Sequence, residues 1–300
     1  MNVKRIGLIG VGLMGHGIAS NIVKHGHPLA VLEHIGNQPL DTLRAAGVEV
    51  RPTPRALAEE VDVLLLCVTG SPQVEAVLLG EDGALRGLRE GAIVIDCSTA
   101  IPASTERLAV QVAEAGCRFM DAAMTRTPKE AAEGRLNLLV GADEALFAEC
   151  RPLLECFAEN ITHAGPVGAG HRMKLLHNYV SLGSVALIAE AAACAERAGV
   201  DHRVFVEVLG KGGGGGTALE RLKPFLLERD PNGLRFSLTN ALKDLGYYTA
   251  MAQDSQAARA IAEGVRRTLE DAVAQDAGGQ ALVPELVAML ARRGAGDAAA

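Results

Sequence analysis

Two stretches of this chain carry residue types whose spacing can do chemistry. The first is Gly10-Val11-Gly12-Leu13-Met14-Gly15, which follows a short apolar run and opens an amphipathic stretch. In that order the glycines allow a tight turn at Gly10, approach of a pyrophosphate to the backbone at Gly12, and close helix–strand packing at Gly15. A helix starting there turns unpaired N–H groups and the positive end of its dipole toward phosphates. Glycines can also serve a turn alone, so the partner residue matters. Glu33 stands 23 residues after Gly10, where an acid accepts from the ribose hydroxyls of a dinucleotide. A carboxylate there suits the 2′-hydroxyl of NAD and repels the 2′-phosphate of NADP, and the adjacent His34 is no strong phosphate clamp. A solvated loop acid is the plainer alternative for Glu33.

The second stretch is His171-Arg172-Met173-Lys174-Leu175-Leu176-His177-Asn178-Tyr179-Val180-Ser181. Lys174, Asn178 and Ser181 fall at i, i+4 and i+7, on one face of a helix. Met173, Leu175, Leu176, Tyr179 and Val180 are expected to be buried elsewhere. Taken bare, this is an amphipathic helix with a solvated face. A lysine held in a dry cleft is also an acid–base group, because desolvation lowers its pKa toward neutrality.

The elements that must position these residues alternate in the first half. Apolar runs at 5–9, 29–32, 61–67, 92–95 and 118–120 read as buried strands, with helical patterns at 14–24, 73–79 and 103–115 between them. A further strand at 135–140 and a helix at 142–157 follow. Strand and helix in alternation imply a doubly wound parallel sheet, here a Rossmann domain over residues 1–163. The second half, 164–300, reads as all-helical. It opens with one long helix over 169–197, about 40 Å if continuous, which suits a connector between two domains. Helical patterns follow at 204–209, 218–228, 238–252, 257–275 and 284–293. The five glycines at 212–216 form a loop or a linker, and the tail 294–300 reads as disordered.

Composition narrows the function classes. The net charge is −7 and aromatics are 3% with no Trp, which argues against nucleic acid and anionic membrane as partners. The six cysteines show no CxxC pair or metal-ligand spacing, so they read as reduced core residues of a cytoplasmic enzyme, and no metal is expected. No uninterrupted apolar run is long enough to span a membrane.

Four motifs in order resemble the β-hydroxyacid dehydrogenases, the family that includes 3-hydroxyisobutyrate dehydrogenase. They are the glycine fingerprint through Asn21; Asp121-Ala122-Ala123-Met124-Thr125-Arg126-Thr127, in place of D-A-P-V-S-G-G; the G-x-x-G-x-G-x-x-x-K-x-x-x-N pattern at Gly165, Gly168, Gly170, Lys174 and Asn178; and Lys243-Asp244-Leu245-Gly246. The resemblance implies an NAD- or NADP-dependent oxidoreductase that interconverts a small 3-hydroxy acid and its aldehyde. It makes Lys174 the acid–base and Asn178 the group that positions the substrate oxygen. Thr125, Arg126, Thr127, Ser181 and Asp244 fall at substrate positions. Gly10, Val11, Gly12, Leu13, Met14, Gly15, Glu33, His34, Val68, Thr69, Gln73, Thr99 and Lys243 fall at cofactor positions. Phe236 matches a cleft-lining aromatic, although a core Phe is as good a reading. A homodimer or homotetramer is also implied.

One departure stands out: S-G-G has become Thr125-Arg126-Thr127. Arg126 can bind an anion through two parallel hydrogen bonds, and the Arg-Thr pair is similar to that of sulfolactaldehyde reductases. It can equally point to solvent or pair with Glu130. Two other functions compete: an imine reductase, which usually lacks the lysine, and a non-catalytic cofactor-binding scaffold. His25, His27, His171 and His177 read as solvent or packing residues.

Overall fold

The structure, a computed structural model, describes residues 4–276 and 278–293; the tail at 294–300 lies outside the described residues. Two compact units divide the chain, the first ending at Lys174 and the second starting at Leu175.

The first unit is built on eight strands: β1 (Ile6–Ile9), β2 (Leu29–Leu32), β3 (Glu49–Arg51), β4 (Val63–Leu66), β5 (Ile93–Asp96), β6 (Arg118–Thr125), β7 (Leu136–Gly141) and β8 (Ala158–Gly165). Their order across the sheet is β3-β2-β1-β4-β5-β6-β7-β8. All neighbouring pairs are parallel except β6 and β7. Seven helices connect them: α1 (Leu13–Lys24), α2 (Asp41–Ala45), α3 (Pro54–Ala58), α4 (Ser71–Leu79), α5 (Pro102–Glu114), α6 (Pro128–Ala132) and α7 (Glu144–Leu154). Strand side chains alternate between two cores. Leu8, Val63, Leu65, Ile93 and Ile95 enter the one that holds Ile18, Ile22 and Phe157, whereas Ile9, Leu64, Leu66 and Val94 enter the one that holds Leu57, Val74 and Leu108. A sheet covered on both faces needs near-continuous apolar strands, and that is why these runs were visible in the sequence.

Two strands were not. β3 is a three-residue edge strand with charged ends, and β8 has the pattern Ala-Glu-Asn-Ile-Thr-His-Ala-Gly with half its residues facing water or nearly so. Edge strands carry little apolar signal because nothing covers their outer flank.

The second unit is helical: most of α8 (Ala169–Arg197), then α9 (His202–Lys211), α10 (Thr217–Glu228), α11 (Leu238–Asp254), α12 (Ala260–Gln275) and α13 (Leu286–Arg293). α12 starts at 260, not 257, because α11 extends to Asp254 and Gln256 then takes a left-handed φ of 53°. By length and composition α8 could cross a membrane. Its apolar positions Leu182, Val185, Ala186, Ala189 and Ala192 are instead consumed in this unit's core, with Leu222, Phe225, Leu245 and Leu269. Phe236 packs on the same core, in line with the plainer reading of that residue. The glycines at 212–216 form the turn between α9 and α10.

All six cysteines are free thiols; Cys97, Cys117, Cys150 and Cys156 are buried, Cys67 is half-buried and Cys194 is exposed. Burial pushes the Cys67 thiol up to about 12 and that of Cys150 up to about 11, so neither is a nucleophile near neutral pH.

Candidate active site

The phosphate turn is built as its glycines demand. Gly10 has φ +99°, and a Cβ on it would lie 2.2 Å from the Cys67 carbonyl oxygen. A Cβ on Gly15 would lie 1.9 Å from the Gly10 carbonyl oxygen. At Gly12, by contrast, a Cβ would meet nothing within 4 Å, so there is open space in front of that backbone. α1 starts at this point with no side-chain cap and no acid in its first turn. Uncapped N–H groups facing open space fit the pyrophosphate of a dinucleotide.

Parallel pairing brings the other cofactor positions to the same edge of the sheet. Ile9 is level with Leu66, Leu66 with Asp96, and Asp96 with Asp121, so the residues after β1, β4 and β5 leave the sheet together. These include Val68 and Thr69 after β4 and Thr99 after β5; Gln73 lies in the first turn of α4. The Val68 N–H donates to Ser98 Oγ at 3.0 Å, which ties the two loops. Ligands of open α/β sheets bind at this carboxyl edge. Glu33 directly follows β2 and is largely exposed, and Arg44 Nη2 lies 3.9 Å from its Oε1. His34 Nδ1 accepts the Gly36 N–H at 3.0 Å, so that nitrogen is already used.

The substrate segment ends β6. Thr125 is buried, and its hydroxyl oxygen accepts from Asn137 Nδ2 at 3.1 Å; Asn137 Oδ1 in turn accepts from Asn160 Nδ2 at 2.9 Å. The Thr125 hydroxyl thus keeps its proton to donate. Thr127 caps α6, and its N–H donates to Glu130 at 3.0 Å. Hydrogen bonds from Thr127 hold the Glu130 carboxyl below its ordinary range. Arg126 is tied down by groups other than Glu130: its guanidinium donates to Glu159 and to the Arg135 carbonyl. Its φ is +80°, so the chain has kept a glycine-like backbone while changing the residue. An L-residue there costs about 1–2 kcal/mol. Arg126→Gly should therefore be more stable than Arg126→Ala by about 1 kcal/mol, since both lack the ion pair and only one relieves the backbone. Denaturant midpoints for the two variants measure this; equal midpoints would mean that position 126 carries no strain.

A buried polar knot anchors the helix that carries Lys174. Asp121 Oδ1 accepts the Gly168 N–H at 2.6 Å and Oδ2 accepts the His171 N–H at 2.7 Å, capping the first turn of α8. Gly141 and Gly170 make room for that carboxylate, because a Cβ on either would come within 2.4 and 2.7 Å of its oxygens. His171 is fully buried, so of its two expected settings only the packing one holds. Its Nδ1 lies 2.7 Å from Thr105 Oγ1 and its Nε2 3.1 Å from the Ser98 carbonyl, with Asp96 and Asp121 oxygens each at 3.9 Å. Burial raises the Asp121 pKa, opposed by His171 and by the two backbone N–H groups. Asp96, Asp121 and His171 were not singled out as site residues in the sequence, since their partners lie dozens of residues away.

Farther along α8, Asn178 is buried and its Nδ2 donates to Asp244 Oδ2 at 2.6 Å. Lys243 Nζ lies 3.2 Å from Asp244 Oδ1, so these two form an ion pair that also orients Asn178. Ser181 Oγ accepts from Arg221 Nη1 at 3.1 Å. Arg221 was not foreseen, because nothing in its sequence context marks it. Lys174 is half-buried. Of its apolar neighbours only Leu175 is fully buried, and Tyr179 is half-buried; Met173, Leu176 and Val180 are exposed. The expected burial of those three fails because one helix cannot cover all its sides with a single core. Among the described residues, no group of three or more His, Cys, Asp or Glu could hold a metal ion.

Comparisons with known proteins identify the family of the chain. The family model for the NAD binding domain of 6-phosphogluconate dehydrogenase matches residues 5–165. A second, described as NAD-binding of NADP-dependent 3-hydroxyisobutyrate dehydrogenase, matches residues 168–290. The NAD-dependent L-serine dehydrogenase of Pseudomonas aeruginosa is 32% identical over 84% of this chain and 87% of its own. The 2-hydroxy-3-oxopropionate reductase of Escherichia coli is 36% identical over 66% of this chain and 67% of its own. Among solved structures, 3-hydroxyisobutyrate dehydrogenase of Mycobacterium tuberculosis with L-serine matches with a TM-score of 0.82 at 25% identity, covering 96% of this chain and 99% of that one.

Proposed function

Since the chain belongs to the β-hydroxyacid dehydrogenases, NAD(P)-dependent oxidoreductases acting on CH–OH groups, we propose that it interconverts a small 3-hydroxy acid and its semialdehyde, with Lys174 as the acid–base. The observation that carries this reading is the Asp121 clamp. One carboxylate on β6 holds the first turn of α8, so the strand that ends in Thr125 and the helix turn just before Lys174 are fixed to each other.

The bound nicotinamide would accept or supply the hydride at the carbinol carbon, held through the Gly10–Gly15 turn and Glu33. The rest falls to the chain's own side chains. Lys174 Nζ takes the hydroxyl proton on oxidation and returns it on reduction. Asn178, oriented by Asp244, steadies the substrate oxygen, and the Thr125 hydroxyl donates to the substrate carboxylate. Because Arg126 is engaged by Glu159, the sulfonate-binding alternative gains no support from the geometry. A panel of small hydroxy acids and semialdehydes, each run with NAD(H) and NADP(H), tests the reading; absence of turnover across the panel would defeat it.

The same measurements bear on the cofactor. NAD should be preferred over NADP by kcat/KM, and Glu33→Gln should shift the ratio toward NADP by about tenfold or more. That is the scale of one charge-assisted hydrogen bond of about 1.5–3 kcal/mol. Removing the carboxylate also leaves the nearby Arg44 guanidinium available for a 2′-phosphate. An unchanged ratio in the variant would show that Glu33 does not read the ribose.

A further inference from the structure

Arg126, the arginine of the substrate segment, is occupied by a carboxylate. Arg221 is not. It stands in the second turn of α10, half-buried, and among the described residues its side chain makes one hydrogen bond, the donation to Ser181 Oγ at 3.1 Å. Among the described residues no acid forms an ion pair with it. A guanidinium has five N–H donors and no acceptor, so most of its donors are left for groups other than the described residues. Ser181 accepts the arginine's N–H and retains its own hydroxyl proton. Two donor groups therefore converge, and among the described residues no carboxylate pairs with the guanidinium, which is an arrangement for an oxyanion.

The place matters as much as the chemistry. Ser181 shares a helix face with Asn178 and Lys174, about 4.5 Å along the axis from the first and about 10 Å from the second. An anion held at Ser181 and Arg221 is thus set apart from the reacting carbon by several bonds. It cannot be the carboxylate adjacent to that carbon, which the reading above gives to Thr125.

We propose that Arg221, together with the Ser181 hydroxyl, receives a second anionic group of the substrate, so that the enzyme selects hydroxy acids carrying two negative charges. This rests on Lys174 and Asn178 holding the reacting end. Arg221 is a specificity-determining residue, since it touches substrate far from the hydride.

Two probes separate the charges cleanly. 3-Hydroxyisobutyrate has one carboxylate; 2-(hydroxymethyl)glutarate has the same hydroxymethyl acid centre and a second carboxylate on a two-methylene arm. The readout is the ratio of their kcat/KM values. Wild-type protein should favour the diacid by about 10- to 100-fold, the scale of a charge-assisted pair. Arg221→Met, which keeps the aliphatic stem, should collapse the ratio toward unity, and Arg221→Lys should retain part of it, having charge without the planar fork. Ser181→Ala should lower the same ratio by a smaller factor.

A purely structural arginine gives a different result: equal losses on both probes, leaving the ratio where it was. That outcome overturns the proposal, as does a wild-type preference for the monoacid. The underlying reading fails separately, if Lys174→Ala still turns over whichever probe the wild type uses. Wild-type protein inert toward both probes overturns the proposal, and inertness across the whole panel of hydroxy acids and semialdehydes overturns the reading as well.

Discussion

Lys174→Ala should lower kcat by about 10²–10⁴-fold, the usual contribution of a general acid–base group, while the Kd for NAD stays within a few-fold. The two effects separate because the cofactor is expected on the Gly10–Gly15 turn and Glu33, whereas Lys174 follows the Asp121 clamp on α8. Single-turnover kinetics and cofactor titration by fluorescence measure them independently. The variant should fold normally, since Lys174 is half-buried and lies outside the buried knot. Lys174→Arg should fail almost as badly, because a guanidinium does not give up its proton near neutral pH. Turnover near the wild-type level in either variant would remove Lys174 from the mechanism.

Asp121→Ala should cost about 3–5 kcal/mol of stability, as breaking a buried charged network does. The loss has identifiable parts. Two N–H groups at the start of α8, those of Gly168 and His171, lose their acceptor where no water reaches, and His171 loses one of its two flanking carboxylates. Asp121→Asn keeps one acceptor but turns an NH₂ toward a backbone donor, so it should cost about 1–3 kcal/mol. Thermal unfolding should register the alanine variant as a fall on the order of 10 °C. Because the clamp also fixes the turn before Lys174, kcat should drop in both variants even at temperatures where they remain folded. If Asp121→Asn matches the wild type within about 0.5 kcal/mol, the carboxylate is not needed as a double acceptor.

The parts of the molecule that were legible in the sequence are those whose signal is local. The glycine turn was legible because tight backbone geometry excludes other residues, as the close approaches at Gly10 and Gly15 show. Strands β1, β2, β4 and β5 were legible because a sheet covered on both faces demands unbroken apolar runs, and α8 because one period continues from 169 to 197. The face shared by Lys174, Asn178 and Ser181 follows from helical spacing alone.

What only the tertiary structure decided is pairing across long stretches of chain. Asp121 meets Gly168 and His171, Arg126 meets Glu159, Thr125 meets Asn137, and Ser181 meets Arg221, and no spacing rule connects any of these pairs. Arg126 shows the limit most plainly. Its identity as an anion-binding group was readable from the sequence, but a guanidinium goes to whichever carboxylate the fold brings within reach. That choice belongs to the register of β6, β7 and β8, which sets Glu159 beside it.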